Sequence, residues 1–406
     1  GFLCSIPGQT MGMAVFTDTF IEVLGLSRTE LSMAYLIGTI GSSIFLTAAG
    51  RWYDRFGARV MITVASLALG LMVGFISITD LLATALGGST MVTFMLIMVG
   101  YFGVRFFGQG VLTSSSRNVL LVWFVKRRGL VSGVRGVFVS FGFSLAPLLL
   151  GWMILTLGWR EALWIMACGV GLVFAGFALV FIRDNPASCG LRPDGGLLED
   201  QSIADVIEGP SQTLRQARRT GVFWIYSFSL GMHAMFSTAV TFHIVSIFAE
   251  AGRNATAAFG YFLPAAVFSI VVNLLASSLV DRRRLKPFLL LMLIFFNLGA
   301  VGLLNLEQNW GFWLLALGFG AGGGLWGVTS NLAFIRFFGP LHLGEISGLN
   351  TSLSVFASAV GPAAFSLGLD YFGSYDAAVR VCLGLLIVLL AAAVWVRQEE
   401  VINTHH

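Results

Sequence analysis

Charged residues are scarce in this chain. Only 11% of its 406 residues are Asp, Glu, Lys or Arg, and 57% are hydrophobic, whereas soluble globular domains have about 25% charged residues. The chain lacks the polar surface that a water-soluble protein needs, so we predict a membrane protein. Its apolar runs are long enough for helices to cross a hydrocarbon core about 30 Å thick. This pattern excludes an outer-membrane barrel, which would show short alternating strands.

Cysteine and histidine are also rare. The four cysteines lie far apart without metal-ligand spacing, and the five histidines form no cluster, so we predict no disulfide framework, metal site or cofactor. Acids are nearly absent from the apolar runs: apart from Glu30, Glu161 and Asp376, each the first residue of its run, only Asp18 and Glu22 occur, both near the outer end of the first run. Since no paired carboxylates and no nucleophile beside a base lie within these runs, we do not predict an enzyme. Nucleic acid is not expected as a partner.

Hydropathy, punctuated by Gly, Pro and charged residues, predicts an all-α membrane protein with twelve spans. We number them one to twelve, with the boundaries 2–24, 30–50, 59–79, 91–122, 130–157, 161–182, 221–248, 255–279, 286–305, 310–337, 346–369 and 376–396. Span one begins at the second residue, so we expect the numbering to start inside a longer natural chain.

Basic residues predict the orientation of these spans. Of the 24 Lys and Arg residues, seventeen lie in the loops after even-numbered spans and in the C-terminal tail, and four lie on the other side. Because positively charged loops stay inside, we expect both termini in the cytoplasm and the protein in the inner (plasma) membrane. The remaining three, Arg105, Arg117 and Arg135, lie within spans four and five.

An internal repeat organises the twelve spans. The sequence GLVSGVRGVFVSFGFSLAPLLLGW from Gly129 is similar to GEISGLNTSLSVFASAVGPAAFSL from Gly344, and Arg117 aligns with Asn331. We therefore predict two copies of a six-helix unit, an arrangement typical of secondary transporters with a site between the repeats. The predicted regions are an N-terminal bundle (1–182), a cytoplasmic linker (183–220), a C-terminal bundle (221–398) and a tail (399–406).

The loop between spans two and three reads GRWYDRFGAR. Gly50 permits close helix contact, Gly57 permits a tight turn, and Asp54 can pair across a helix interface. The run resembles the G-x-x-x-D-R-x-G-x-R loop of the major facilitator superfamily, which implies two pseudo-symmetric six-helix bundles working by alternating access. The second-half copy, SLVDRRRLKP, keeps Asp281 but lacks the glycines, so we interpret it as degenerate. The resemblance implies a gating role for Gly50, Asp54, Arg55, Gly57 and Arg59.

A second resemblance concerns the substrate. WFVKRRGLVSGV, LAP and GWREA in spans four to six, and FFGPLHLGEISG before span eleven, are similar to the monocarboxylate transporters and oxalate:formate antiporters. Monocarboxylate transporters have an Asp and an Arg one turn apart in span eight, where this chain has Ser269 and Asn273. The resemblance implies transport of a small organic anion, through residues that differ from those of the monocarboxylate transporters.

Arginines within the spans favour the same substrate class, because an ionisable residue there is costly and usually functional. Arg105 and Arg117 are twelve residues apart, about 18 Å along one helix, so each would have its own role. Arg105 could instead support the fold, and Arg117 and Arg135 could extend to the headgroups. No mid-membrane acid is available for an organic cation, and an arginine fork matches a carboxylate. The predicted substrate-binding residues are Arg105, Arg117, Arg135, Ser114, Asn273 and Asn331.

Two residues are candidates for proton coupling. His233 lies near the middle of span seven, and an unperturbed histidine with a pKa near 6.5 could exchange a proton during the cycle. A hydrogen-bonded packing histidine is the alternative, and for His243 the packing interpretation is favoured. Asp18 in span one is the second candidate. In the same span, Pro7-Gly8-Gln9-Thr10 could break the helix and expose polar groups.

The sequence thus predicts a secondary active transporter that moves a small organic carboxylate by alternating access, with proton coupling as an option. The expected functional unit is a monomer in the lipid bilayer, with the anion and protons as partners. Two alternatives stay open. A drug or amphipath efflux antiporter would share the fold, but it would need a wide apolar cavity and an embedded acid. A non-transporting membrane sensor of the same fold would show no flux.

Overall fold

The computed structural model describes residues 1–194 and 211–397, and the regular structure in these two ranges is helical. Eight of the helices are long and apolar enough to cross a membrane. One of them, Met33–Ser77, has 45 residues, which at 1.5 Å per residue is about twice the thickness of the hydrocarbon core. This helix therefore contains two predicted spans. The prediction of an all-α membrane protein is confirmed.

The observed helices follow the predicted spans closely. Spans two and three form Arg28–Ser77, and span eight is preceded by the short helix Ala255–Gly260. The other spans are single helices or joined helical segments: Thr90–Trp123 (four), Arg128–Leu157 (five), Trp159–Phe181 (six), Gly221–Glu250 (seven), Phe262–Val280 (eight), Lys286–Leu303 (nine), Asn309–Phe338 (ten), Leu343–Phe372 (eleven) and Asp376–Trp395 (twelve). Short connecting helices are Thr79–Ala85, Pro186–Cys189 and Leu214–Ala217.

The helix containing spans two and three changes direction at Gly57, whose φ of 80° and ψ of 173° are not helical. Contacts between spans two and four pair residues in rising order, whereas contacts between spans three and four pair them in falling order. Span three therefore runs antiparallel to both neighbours. The pairs are Gly38 with Phe102, Leu46 with Gly110, Met72 with Gly103, and Ile76 with Gly100.

Span one is divided into three short helices, Leu3–Gly8, Thr10–Ala14 and Thr17–Leu24. Gln9 separates the first two with an extended backbone (φ −87°, ψ 153°). Gly8 packs directly on span four, where a Cβ on Gly8 would lie 2.6 Å from the Cα of Gly108. The break predicted at Pro7-Gly8-Gln9 is therefore present, and its backbone faces another helix.

The described residues form two compact units. The first contains residues 1–123, 138–194 and 343–352, and so includes the start of span eleven. The second contains residues 124–137, 211–342 and 353–397, and so includes the start of span five. The predicted region boundaries stay a prediction, and the predicted tail, 399–406, lies outside the described residues.

The sequence repeat extends to the packing inside each unit. In the second unit, spans eight and ten pair in parallel through Ala265 with Gly320 and through Asn273 with Gly324. The repeat aligns Leu46 with Asn273 and Gly110 with Gly324. In both units, a glycine at the same position of the repeat therefore allows the close contact between these two helices.

Candidate functional site

Arg105 binds the broken segment of span one. It begins a π-helical segment, Arg105–Leu112, a type of helix often found at functional sites. Its side chain is buried, and Nη1 donates hydrogen bonds to the Gly8 carbonyl (3.2 Å) and to Thr10 Oγ1 (3.3 Å). The guanidinium also lies 5.2 Å from the centre of the Tyr35 ring. Arg105 therefore positions span one against span four.

Polar side chains continue this contact toward residue 113. The Gln9 amide donates hydrogen bonds to Ser5 Oγ (3.0 Å) and Thr113 Oγ1 (3.3 Å), and Thr113 bonds Ser5 (3.1 Å). Gln109 Oε1 is buried, and no partner for it lies within the described residues. Sequence reasoning missed Ser5 and Tyr35, which become recognisable only once the backbone of span one is known to be open.

Arg117 has a different environment from Arg105. Its Nη2 is buried without a hydrogen-bond partner, and no carboxylate pairs with it in the part of the chain that the structure describes. One turn earlier, Ser114 Oγ lies 3.5 Å from Thr351 Oγ1 in the same unit. Ser116 Oγ is also buried and unsatisfied. The first unit thus holds a half-buried arginine with a spare buried donor, on a helix that also carries the hydroxyl groups of Ser114 and Ser116.

The cavity next to Ser114 is small, and its lining does not include Arg117. A cavity of about 10 Å³ is lined by Ser114, Asn118 and Gly344, among others. That volume holds about one water molecule. Asn118 donates a hydrogen bond to Ser347 Oγ (3.1 Å), which closes one side. The observed cavity is therefore too small for an organic substrate.

The three remaining predicted substrate residues lie in the second unit. Asn273 donates from Nδ2 to the Gly324 carbonyl (3.0 Å), and Asn331 donates to the Gly327 carbonyl. Both amide nitrogens are therefore occupied by the backbone of span ten. Arg135 is partly buried on span five and has contacts of its own.

His233 packs between two aromatic rings. Its ring centre lies 4.6 Å from that of Phe296 and 4.9 Å from that of Trp326. Its Nδ1 is 3.0 Å from Ser237 Oγ. The backbone of Asp18 lies in the helix Thr17–Leu24, and its side chain is outside those that the structure describes. Within the described ranges, the hydrogen-bonding partner of His233 is therefore Ser237.

Ser237 also lines the larger cavity of the second unit. The cavity has a volume of about 260 Å³ between spans seven, eight and ten. Its lining includes the hydroxyl residues Ser237, Thr241 and Ser269, with Tyr261 and Phe319. The sequence comparison had placed Ser269 at a substrate position of span eight but had given no role to Thr241 or Tyr261. This cavity offers hydroxyl groups, and none of its lining residues is charged.

His243 lies further along span seven. Its Nε2 is 3.0 Å from the Pro362 carbonyl and 3.3 Å from Ser366 Oγ, and its Nδ1 is 3.3 Å from the Tyr375 hydroxyl. These partners belong to span eleven and to the start of span twelve. The contacts are those of a residue that fastens helices together.

The predicted gating motif contacts the start of span eleven. The Asp54 carboxylate accepts hydrogen bonds from the backbone N–H groups of Gly344 and Glu345, both at 2.8 Å. Arg51 forms an ion pair with Glu345 at 2.7 Å. Gly50 is in direct contact with the Gly344 carbonyl, where no side chain would fit. Because free N–H groups and the helix dipole both attract an anion, Asp54 acts as a cap on span eleven.

The rest of the motif contacts the linker. Gly57 has a positive φ, and a Cβ there would lie 2.5 Å from Asp184 Oδ1. The same oxygen accepts a hydrogen bond from the Arg59 N–H (2.8 Å) and so caps the start of span three. Arg55 is exposed and lies over the Phe56 ring at 5.4 Å. Sequence reasoning missed Asp184, although it directly follows span six.

Asp281 repeats the Asp54 arrangement in the second unit. Its carboxylate accepts from the N–H groups of Gly129 (2.8 Å) and Leu130 (3.3 Å) at the start of span five. The buried Arg336 lies 3.6 Å away and donates to the Val280 carbonyl (2.8 Å). Burial raises the pKa of Asp281, and the two backbone hydrogen bonds and Arg336 oppose that shift. The interpretation of this loop as degenerate applies to its glycines but not to the cap.

A family model described as the Major Facilitator Superfamily matches residues 1–362. The chain belongs to the major facilitator superfamily. Membership makes it a multi-pass membrane protein and a secondary transporter, and it confirms the resemblance found in the GRWYDRFGAR loop. The narrower resemblance to monocarboxylate transporters stays a prediction.

Known proteins similar to this transporter handle different substrates. The hexuronate transporter of Bacillus subtilis (strain 168) is 25% identical over 164 residues, which are 40% of this chain and 36% of that protein. A bacterial homologue of the iron transporter ferroportin has a TM-score of 0.73 at 14% identity, covering 97% of this chain and 96% of its own. The human organic anion transporter has a TM-score of 0.61 at 15% identity, with the same coverage. At these identities the solved structures show a common fold.

Proposed function

We propose that this transporter carries a small organic anion with a carboxylate group, and that Arg117 binds that group. The observation that supports the proposal is the buried Nη2 of Arg117, which has neither a hydrogen-bond acceptor nor a paired acid among the described residues. An uncompensated buried charge is destabilising by several kcal/mol. A carboxylate would supply the missing acceptor and the opposite charge, in a geometry that suits the guanidinium fork.

Ser114 and Thr351 are the co-ligands of Arg117 in this proposal. Ser114 lies three residues before Arg117 and therefore on the same face of the helix. Its hydroxyl already has a polar neighbour in Thr351. Arg105 has a separate task in this proposal, because its Nη1 is occupied by span one. It supports the helix on which Arg117 lies.

Two further observations favour a hydroxylated carboxylate. The partial relative from Bacillus subtilis is a hexuronate transporter, and a hexuronate has both a carboxylate and several hydroxyl groups. The cavity of the second unit is lined by Ser237, Thr241 and Ser269 without a charged residue. Hydroxyl groups of this kind both donate and accept hydrogen bonds, as a sugar hydroxyl requires.

The proposal also includes the orientation of the termini, the division into two bundles, proton coupling and the monomeric state. The distribution of basic loop residues supports cytoplasmic termini and a plasma-membrane location. The sequence repeat supports bundles at 1–182 and 221–398 joined by the linker 183–220. The position of His233 beside Ser237 supports proton-coupled transport. We propose a monomer as the functional unit.

The test is uptake of radiolabelled hexuronate and of a short monocarboxylate into proteoliposomes, with thermal unfolding measured on the same preparations. We expect Arg117→Gln to lower uptake by more than about tenfold, since a charge-assisted pair is worth about 1.5–3 kcal/mol. Its unfolding temperature should stay level or rise, because an unpaired buried charge has been removed.

Arg105→Gln is the matched control, on the same helix and also buried. We expect it to lower the unfolding temperature, because the Gly8 carbonyl and Thr10 lose their donor. Normal uptake by folded Arg117→Gln would refute the anion site. Failure of the wild-type protein to take up either compound would remove the carboxylate assignment.

A further inference from the structure

A short helix in the linker and the two residues after it carry three exposed arginines. The helix Leu214–Ala217 begins with a capping box, in which the Thr213 N–H donates to Gln216 Oε1 at 2.8 Å. Leu214 and Ala217 are only 4% and 0% exposed, so this turn is fixed to the second unit. Three exposed side chains form what we name the linker arginine cluster: Arg215, Arg218 and Arg219.

The cluster lacks a counter-ion in the part of the chain that the structure describes. Each of the three guanidinium groups is without an ion pair there. The sequence from 211 to 249 contains no Asp or Glu. Three like charges within five residues repel one another, so this surface favours an external anion.

Aromatic side chains place the cluster at the edge of the apolar surface. The Trp224 indole N–H donates to the Arg218 carbonyl at 2.9 Å. Trp224 is 36% exposed, and Phe228, one turn further along span seven, is 52% exposed. Their ring centres are 5.3 Å apart. The order of the arginines, Trp224 and Phe228 along the chain matches the order of headgroup, interface and hydrocarbon in a bilayer.

The end of span twelve adds to the same surface. Gly221 lies beside Val396, with 3.7 Å between its would-be Cβ and the valine side chain. Trp395, the last residue of span twelve, is 87% exposed. Lys286 is occupied there, because its Nζ donates to the carbonyls of Val394 (2.7 Å) and Val396 (3.1 Å). Among the described residues of this surface, the linker arginine cluster therefore supplies exposed cations without an ion pair.

We propose that the linker arginine cluster binds the phosphodiester headgroup of an anionic phospholipid, with Trp224 and Trp395 at the level of the glycerol ester. Guanidinium groups bind phosphate oxygens through paired N–H donors. The exposed Phe228 lies where an acyl chain would pass. None of the residues of the linker arginine cluster belongs to the proposed substrate site. The lipid proposal therefore does not depend on which compound is transported.

The experiment measures binding of phosphatidylglycerol to the detergent-purified full chain through the rise in unfolding temperature, with phosphatidylcholine as the neutral reference. We expect a rise with phosphatidylglycerol only. In the triple variant Arg215→Gln, Arg218→Gln and Arg219→Gln, half-saturation should need at least about tenfold more lipid, because each basic residue near an anionic surface contributes to binding. The corresponding triple lysine variant keeps the charge and should retain most of the affinity.

The matched control removes three other arginines. Arg282, Arg283 and Arg284 are exposed in the same unit, and the triple glutamine variant there loses the same charge. We expect that control to bind phosphatidylglycerol like the wild type. Equal loss in both triple variants would show a general charge effect and overturn the site, as would no loss in either.

Two further measurements identify what binds to the linker arginine cluster. Inorganic phosphate at matched charge should produce no comparable rise; an equal rise would assign the cluster to a free anion in place of a lipid. A fourth variant replaces the acids of the linker by their amides, as Glu199→Gln, Asp200→Asn, Asp205→Asn and Glu208→Gln. Unchanged lipid affinity supports the proposal, whereas a rise of more than about tenfold would assign the cluster to the linker itself.

Discussion

Arg105 and Arg117 show how two residues of one type on one helix take different roles. The sequence predicts both as substrate-binding residues with separate roles, and it leaves open that Arg105 supports the fold and that Arg117 extends to the headgroups. Their partners separate them. The Gly8 carbonyl is available to Arg105 because span one leaves the helical conformation at Gln9, and a freed buried carbonyl must find a donor. Hydropathy does not contain this information, although the Pro-Gly pair at 7 and 8 indicated a break.

Asp54 and Asp281 illustrate the opposite case, in which a sequence difference hides a structural similarity. The glycines that mark the first loop are missing from the second. The cap needs only a carboxylate and the free N–H groups of a helix start, and both are present at Gly129 and Leu130. The aspartate alone was the reliable signal.

The raised pKa of Asp281 predicts how pH acts on its cap. Burial, the largest cause, makes the folded protein bind a proton at Asp281 more readily than the unfolded chain does. Stability should therefore fall as pH rises from the ordinary carboxyl pKa of 3.8 through the raised value. We expect Asp281→Asn to weaken this pH dependence of the unfolding temperature.

The comparison is made against Glu307→Gln, which removes an exposed acid of the same unit. Unfolding is followed between pH 4 and 8 in both variants and in the wild type. An unchanged slope in Asp281→Asn would contradict the assignment of the proton to this cap.

At the scale of the helices, the sequence predicts the boundaries of the spans better than the type of helix within them. Predicted span four, 91–122, is observed as Thr90–Trp123, and predicted span ten, 310–337, as Asn309–Phe338. The thickness of the bilayer sets the length of each apolar helix, so hydropathy along the sequence predicts where the helix begins and ends. The π-helical segments Arg105–Leu112 and Gly169–Phe174 were not predicted. They form where another helix presses on the span, and no local pattern encodes that contact.

Close contacts between glycines at such a segment give a prediction for stability. A Cβ on Gly70 of span three would lie 2.5 Å from the Gly171 Cα and 2.7 Å from the Ala167 carbonyl oxygen. Backbone atoms of a packed helix cannot yield as a side chain can. We expect Gly70→Ala to destabilise the transporter by at least about 1–3 kcal/mol, measured as a lower unfolding temperature and a smaller monodisperse fraction.

Gly176→Ala in span six is the control, because nothing lies within 4 Å of its would-be Cβ. This change should be neutral or stabilising by about 0.5–1 kcal/mol, since alanine favours a helix over glycine. Equal effects of the two substitutions would mean that the contact of spans three and six is not tight.

At the scale of the whole molecule, a symmetric fold holds an asymmetric set of polar groups. The capping aspartates and the parallel helix pairs recur in both repeats. Arg117, whose guanidinium has no paired acid among the described residues, belongs to the first unit, and its aligned residue in the second is Asn331. The second unit instead has His233 and the hydroxyl-lined cavity. The repeat was predictable from sequence, and so was the uneven charge, but the cavity depends on the packing of three helices.

This asymmetry leads to a prediction for the transport cycle. If His233 transfers the coupled proton through Ser237 to the cavity, an inward proton gradient should stimulate carboxylate uptake by wild-type proteoliposomes. His233→Gln should abolish that stimulation. Counterflow of labelled against unlabelled substrate, which needs no net proton movement, should continue in the same variant. Ser237→Ala removes the one hydrogen bond that the His233 ring makes among the described residues and should weaken the stimulation. His243→Gln should keep it, since that residue fastens spans seven and eleven. Stimulation that survives in folded His233→Gln would place the proton on another residue, and a wild-type protein without stimulation would be a uniporter or an exchanger.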